Sequence, residues 1–235
     1  MIFRSRYVLQ ILVLAAAFGI SWATQQGTRV QRLWLALPEW MAEDLRIHLH
    51  TAIVGITVLA VVSALLGACL RTWGTAYLGV RVVSSPTLEN SEMAIDGPYR
   101  YLRNPLYLGT ILHTLALTLL MTWEGAGFAL IAIGMLQMAL VAAEEGYLAR
   151  ALGEPYKQYC REVPRYLPKR FGLAPRAAGT EAHWLQAFAS EIYFWGAAVT
   201  FVVFGASYNA QLIAQGLLVS LGVGIVVRGA CILKR

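Results

Sequence analysis

The chain has 235 residues, of which 58 % are apolar and only 14 % charged, with a mean hydropathy of +0.57 and a net charge of +6. A water-soluble domain carries about 25 % charged residues, so the composition excludes an ordinary soluble fold and leaves room for about six membrane spans plus loops. In such a chain the positive charge reads as a topology signal, and no nucleic-acid partner is expected.

In chain order, the N-terminal stretch MIFRSRYVLQILVLAAAFGISWATQQ joins a basic head to an apolar run. That is also the form of a signal peptide, but the run reaches Trp22 and no clean A-x-A site follows. A retained first span, 7–24, is expected. The segment LPEWMAEDLRIHLH predicts a surface helix leading into a second span, 49–70. Pro38 suits its first turn, Glu39, Glu43 and Asp44 suit its positive end, and Trp34 and Trp40 suit the interface. Asp44 and His48 are four apart and able to pair, which alone does not make a catalytic dyad. Spans 106–122 and 126–143 are joined only by TWEG, a tight helical hairpin, and spans 192–207 and 210–227 by SYNAQ, a second one. Lone histidines and glutamines in or beside these runs read as packing or interface residues. Gly205, Gly216, Gly222 and Gly224 are compatible with a homodimer surface, and the hairpin that carries them equally with a path for lipid. The expected fold is therefore all-α, a polytopic helical bundle.

With the N-terminus in the cytoplasm, 16 of the 19 basic residues fall on cytoplasmic segments, leaving Arg29, Arg32 and Arg46 outside. This bias predicts cytoplasmic N- and C-termini. Cys69, Cys160 and Cys231 are isolated, odd in number and without metal-ligand or redox spacing, so free thiols and no metal site are expected.

Two polar stretches, 71–105 and 144–190, flank the first hairpin, which returns both to one membrane face. The first contains DGPYRYLRNPLYLG, Asp96 to Gly109. Gly97 and Pro98 mark a turn, and Asn104 followed by Pro105 predicts an N-cap with proline at N1. Tyr99, Arg100, Arg103 and Tyr107 are either headgroup-level anchors or site residues. The second stretch places Glu144 and Glu145 at a helix C-terminus, where carboxylates oppose the dipole and need a cationic partner or ligand. It continues with Tyr156 and Tyr159 three apart on a short helix opened by Pro155, then VPRYLP. The plainer reading of that stretch is a juxtamembrane loop on anionic lipid.

Taken together these residues resemble the isoprenylcysteine carboxyl methyltransferase family, whose bacterial integral-membrane members shade into the phospholipid methyltransferases. The resemblance rests on Gly97, Pro98, Tyr99, Arg103, Asn104, Pro105, Tyr107 and Gly109. After the hairpin come Glu144, Glu145, Gly153, Tyr156, Tyr159, Val163, Pro164, Arg165 and Pro168. It covers residues 96–171, with a weaker likeness in LRTWGTAYLG upstream. It implies a multi-pass protein of the bacterial inner membrane that uses S-adenosylmethionine at the cytoplasmic interface. The acceptor would be a lipid or lipid-like molecule from the bilayer. The cofactor pocket would be lined by Tyr99, Arg103, Asn104, Tyr107, Glu144, Glu145, Tyr156 and Tyr159, with Arg103, Glu144 and Glu145 nearest the chemistry and Arg165 and Pro168 helping to close it. It divides the chain into N-terminal spans, 1–95, a core with its cap loop, 96–176, and an added hairpin, 177–235.

Two departures bear on mechanism. Many members have histidine where this chain has Asn104, so a titratable base is excluded there. QMALVAAEE lacks the arginine that eukaryotic members carry one turn before the glutamates, which disfavours a prenylcysteine carboxylate. The alternatives are an NADPH-dependent membrane reductase of the sterol reductase type and a non-enzymatic scaffold or transporter.

Overall fold

A computed structural model describes residues 2–27, 31–79, 82–83, 94–167 and 181–233. Every regular element among them is helical: α1 (Ile2–Gly27), α2 (Leu33–Asp44), α3 (Leu49–Leu78), a 3-10 turn (Gly97–Arg100), α4 (Pro105–Thr118), α5 (Trp123–Leu152), α6 (Glu154–Glu162), α7 (Trp184–Ser190), α8 (Ile192–Ser207) and α9 (Ala210–Leu233). The all-α expectation holds. Pro168, Lys169, Arg170 and Arg176 of the expected cap, and Arg29, Arg81, Lys234 and Arg235 of the charge argument, lie outside the described residues.

The span count differs from six. Segments of α1, α3, α5 and α9 are long and apolar enough to cross a membrane, and α7 with α8, bent by 67° between them, make at most a fifth. The expected third span shrinks to α4, whose 14 residues reach only about 21 Å against a hydrocarbon core of about 30 Å. Its far end is completed by another element. The amides of Leu33 and Trp34 donate to the carbonyls of Met121 and Leu119, at 2.8 and 3.0 Å. Backbone groups at membrane depth need such partners. This also corrects the reading of Pro38. Helix α2 starts at Leu33, five residues earlier than expected, so Pro38 lies inside it and Glu39, Glu43 and Asp44 occupy its C-terminal half. No bond joins Asp44 to His48 among the described residues.

Helix α3 is the axis of the bundle, contacting α2, α4, α7 and α8, while α5 pairs with α1 and α4. Small residues permit the close crossings: Ala60, Ala64, Ala116, Ala129 and Ala198 form much of the core, around Phe201, Phe204 and Met121. Helix α3 crosses α4 closely, so that a Cβ added at Gly67 would lie 2.8 Å from the Gly109 carbonyl. The outer face is apolar, with Ile131, Met135, Leu218 and Val226 more than 60 % exposed, as a lipid-facing surface requires. Gly216 and Gly224 pack α9 against Thr200 and Tyr193 of α8, and Gly205 approaches Thr57 of α3, so three of the four hairpin glycines serve contacts within this chain.

Candidate functional site

Local sequence shapes one corner of the bundle. Gly97 (φ +59°) turns the chain into the 3-10 segment, and Gly153 (φ +64°) breaks α5 from α6; both conformations favour glycine. Pro155 in the first turn starts α6. That helix buries Tyr156 and Tyr159, with ring centroids 6.0 Å apart, against Leu148, Leu152 and Val163, and leaves Lys157, Gln158 and Arg161 outward.

Glu144 and Glu145 are not at a helix end. Helix α5 runs on two turns to Leu152, so the dipole argument does not govern them; neighbouring side chains do. Glu145 is a hub. Its Oε1 accepts from Asn104 Nδ2 at 3.0 Å, and its Oε2 accepts from Arg165 Nη2 at 2.7 Å and Nε at 3.1 Å. Arg103 Nη1 stands 3.2 Å from the same oxygen. Glu144 accepts from the Tyr107 hydroxyl at 2.6 Å. The segment after α6 closes over this corner by backbone bonds: Arg103 N–H donates to Pro164 O at 2.9 Å, and Asn104 Nδ2 to Arg165 O at 3.1 Å. Asn104 occupies the N-cap position of α4, but its side chain makes no capping bond. Both its amide hydrogens point across to Glu145 and Arg165 instead. Tyr159 donates to Tyr99 O at 2.8 Å.

All eight residues singled out from the sequence, Tyr99, Arg103, Asn104, Tyr107, Glu144, Glu145, Tyr156 and Tyr159, line one cleft of about 1160 Å³, its open mouth included. Burial raises the hydroxyls of Tyr99, Tyr156 and Tyr159 well above the ordinary phenol range; the Glu144 carboxylate adds to this at Tyr99, and Cys160 at Tyr156. These groups are neutral hydrogen-bonding phenols at any physiological pH.

Other lining residues were not singled out. Arg6, Tyr7 and Gln10 come from α1, Arg71 and Thr110 from α3 and α4, and Gln137 from the middle of α5. Arg6 and Tyr7 hold the carbonyl of Val83, the latter at 2.7 Å. Arg71 is fully engaged: Nε and Nη2 donate to Glu191 at 2.6 and 3.0 Å, and Nη1 to Thr110 at 2.8 Å and Leu106 O at 3.3 Å. Its sequence context, LRTWGTAYLG, placed it among the cytoplasmic charges and in the weaker upstream likeness, not among the expected site residues. Gln137 sits in an apolar run, where a lone amide reads as packing.

One property separates this cleft from the rest of the molecule. Among the described residues, six buried side-chain polar atoms lack a hydrogen-bond partner. Four of them, Tyr99 Oη, Arg103 Nε, and Gln137 Nε2 and Oε1, belong to residues lining it. Unpaired buried polar atoms cost about 1–3 kcal/mol each. Their concentration here makes this cleft the candidate site. No cluster of His, Cys, Asp and Glu among the described residues is arranged to hold a metal ion.

Residues 56–155 match the family model described as phospholipid methyltransferase. The matched stretch runs from within α3 to the start of α6 and contains six of the eight expected site residues, all but Tyr156 and Tyr159. No curated protein and no solved structure matches the chain.

Proposed function

We propose that this chain, related through residues 56–155 to the phospholipid methyltransferases, is an integral membrane methyltransferase. In this reading it takes its donor, S-adenosylmethionine, from the cytoplasm and its lipid acceptor from the bilayer. The observation that carries the proposal is the gathering of unpaired buried polar atoms and a carboxylate in one cleft. When bound, the donor supplies a methyl group on a positively charged sulfonium, which can be transferred directly to a nucleophile.

The protein's own contribution is then binding, alignment and exclusion of water. Glu144, held by Tyr107, is the carboxylate turned to the cleft and provides a countercharge or accepts from hydroxyls. Tyr99, Tyr156 and Tyr159 supply neutral aromatic walls, and a cation over such a ring gains about 0.5–2 kcal/mol. Tyr99 Oη and Arg103 Nε are donors waiting for a partner. Both hydrogens of Asn104 are committed, so toward a ligand it presents its oxygen and accepts. It cannot serve as a base. Glu145, saturated by Asn104, Arg103 and Arg165, positions these residues rather than meeting the ligand. In this reading the excess of basic residues on this face favours a cytoplasmic position for it and for both termini; a reporter fused after Arg235 that stays cytoplasmic is the expected result.

The test is ligand binding by detergent-purified protein. S-adenosylmethionine should raise the thermal midpoint, and a labelled methyl group should pass to organic-extractable lipid. Glu144→Ala should fold yet lose at least about tenfold in donor affinity, the loss expected for a hydrogen-bonded charged group. Stabilisation by NADPH in place of the methyl donor would turn the reading to a reductase. No response to either would leave a scaffold or transporter.

A further inference from the structure

A second groove lies at the other end of α1. Gln10 of that helix lines the cleft and Gln25 lines the groove. The helix between them is about 22 Å long, so the groove opens on the opposite membrane face. Its walls are Phe18 and Trp22 of α1, Ile213, Ala214 and Leu217 of α9, and Leu120 before α5, around about 840 Å³, the open mouth included. It exists because α1 packs on α5, and α9 on α7 and α8, while α1 and α9 make no extended contact with each other. The polar group within it is satisfied: Ser21 Oγ donates to Ala17 O at 2.9 Å and accepts from Thr122 N–H at 3.1 Å. The rim is different. Arg32 and Gln25 stand there, and neither side chain hydrogen-bonds or ion-pairs with a described residue. The Arg32 backbone is fixed at the N-cap position of α2, its carbonyl accepting from Leu35 and Ala36 N–H at 2.9 and 3.0 Å. No carboxylate is among the described residues that line the groove.

We propose that this groove binds one phospholipid of the leaflet opposite the cleft, with an acyl chain between α1 and α9 and its phosphate on Arg32. The inference is independent of the chemistry in the cleft. An apolar gap that opens sideways to lipid takes hydrocarbon, because walls without a partner forfeit their dispersion contacts. Charge decides the head group. A guanidinium presents paired N–H donors that match two phosphate oxygens, and the Gln25 amide adds a further donor. Trp22, 67 % exposed, sets the rim at head-group depth, where tryptophan is enriched. A second copy of the chain does not fit this charge. Neither α1 nor α9 contains an Asp or Glu, so packing either helix into the groove would leave Arg32 without a counter-ion. The charge pattern also singles out this residue. Only Arg29, Arg32 and Arg46 fall on this face, against the bias of basic residues toward the other. Of Arg32 and Arg46, the two that are described, Arg32 is the one on the groove. The bound lipid joins the C-terminal hairpin to α1 where the two helices do not pack.

The experiment measures, by native mass spectrometry of the detergent-purified chain, the affinity for the first bound dioleoylphosphatidylglycerol and for dioleoylglycerol. The two lipids share their acyl chains and differ in the phosphate. Wild type should bind the phospholipid at least about tenfold more tightly, the effect of one charge-assisted hydrogen bond. Arg32→Gln should bring the ratio to near one. Arg46→Gln, which changes the same charge on the same face away from the groove, should leave it at the wild-type value. Ala214→Phe, which grows into the gap, should weaken the phospholipid as much as Arg32→Gln does. Arg32→Gln removes no bond to a described residue, so it should melt near wild type; if either groove variant fails to fold, the other decides. Equal binding of the two lipids by wild type overturns the proposal, as does an unchanged ratio in Arg32→Gln or full phospholipid affinity in Ala214→Phe. An equal loss in Arg46→Gln overturns it too, because the attraction would then be diffuse surface charge. Displacement of the phospholipid by inorganic phosphate would make Arg32 a site for free anions and not for lipid.

Discussion

Glu145 shows how one carboxylate can organise a corner without touching a ligand. Three side chains from α4 and its approach and from the segment after α6 converge on its two oxygens. Arg103 is itself largely enclosed, with its side chain 14 % exposed against 10 % for Glu145. Removing the carboxylate's charge therefore leaves a cation with little water around it, whereas Arg165, half exposed, can turn outward. Breaking a buried pair costs about 3–5 kcal/mol, and the value here should fall at the lower end because Arg103 also reaches Cys160 Sγ at 2.9 Å. Glu145→Gln keeps an oxygen for Asn104 but loses the attraction for both arginines. The expected outcome is an unlatched cap with the bundle intact: faster tryptic cleavage after Arg165, a thermal midpoint lowered by a few degrees, and weaker donor binding. Cleavage at the wild-type rate would mean that Glu145 does not hold the cap.

The residue types of this corner were legible because motif spacing and the returning hairpin predicted two stretches as neighbours, and the eight residues do share a cleft. Their individual bonds were not legible. Asn104 followed by Pro105 has every local mark of a cap. Its Nδ2 donates instead to the buried Glu145 carboxylate and to Arg165 O, and that orientation leaves its oxygen making no bond to the first-turn amides. Nor was it legible that Gln137 is buried with both amide atoms unpaired, since a lone amide in an apolar run carries no sign of whether a partner exists.

At the scale of the element, the position of Asn104 and Tyr107 depends on how closely α4 lies on α3. Gly109 fixes that distance. A Cβ there would sit 2.6 Å from Arg71 Cγ and 2.9 Å from the Gly67 carbonyl, and the latter is backbone that cannot give way. Gly109→Ala must push α4 outward, at about 1–3 kcal/mol for overpacking, partly offset by the up to about 1 kcal/mol alanine gains over glycine in a helix. The displacement is carried to the start of α4, one turn away, so donor affinity should fall by more than the stability loss implies. Gly134→Ala is the matched comparison, because nothing lies within 4 Å of its Cβ position; it should melt at or above wild type and bind normally. Equal effects of the two substitutions on binding would mean that the α3–α4 spacing does not set the site. The same element shows where span counting from hydropathy misleads. The apolar run 106–122 is long enough to cross, but the helix ends at Thr118 and α2 completes the path. Hydropathy measures apolar length, whereas the backbone's demand for partners decides where a helix can stop.

At the scale of the whole molecule, the question is why the C-terminal hairpin is attached to the core at all. The family match ends at residue 155, yet Glu191, at the 67° bend between α7 and α8, is 1 % exposed and reaches Arg71 across 120 residues of sequence. Thr75 donates to the same carboxylate at 3.0 Å, and the Arg71 guanidinium lies 4.1 Å from the Phe194 ring centroid. Sequence gave no sign of this, because a single glutamate before an apolar run and a single arginine in LRTWG are both ordinary interface residues. Folded, they make Arg71 a wall of the cleft that is held from behind by the hairpin, so the hairpin acts as a buttress of the site. The energetics distinguish a buttress from an accessory dimer surface. Glu191→Leu alone strands the Arg71 charge in a dry environment and should destabilise by about 3–5 kcal/mol. Arg71→Met with Glu191→Leu removes both charges, leaves hydrophobic groups of similar volume, and should recover most of that loss. The double variant should then fold yet bind the donor more weakly, because Thr110 and the Leu106 carbonyl have lost the donor that tied α4 to α3. Thermal midpoints for the four members of the cycle, with donor affinity for the two that fold best, decide the matter. Additive stability losses would mean that the hairpin and the core are energetically separate, and a double variant with full affinity would mean that Arg71 shapes the bundle but not the site.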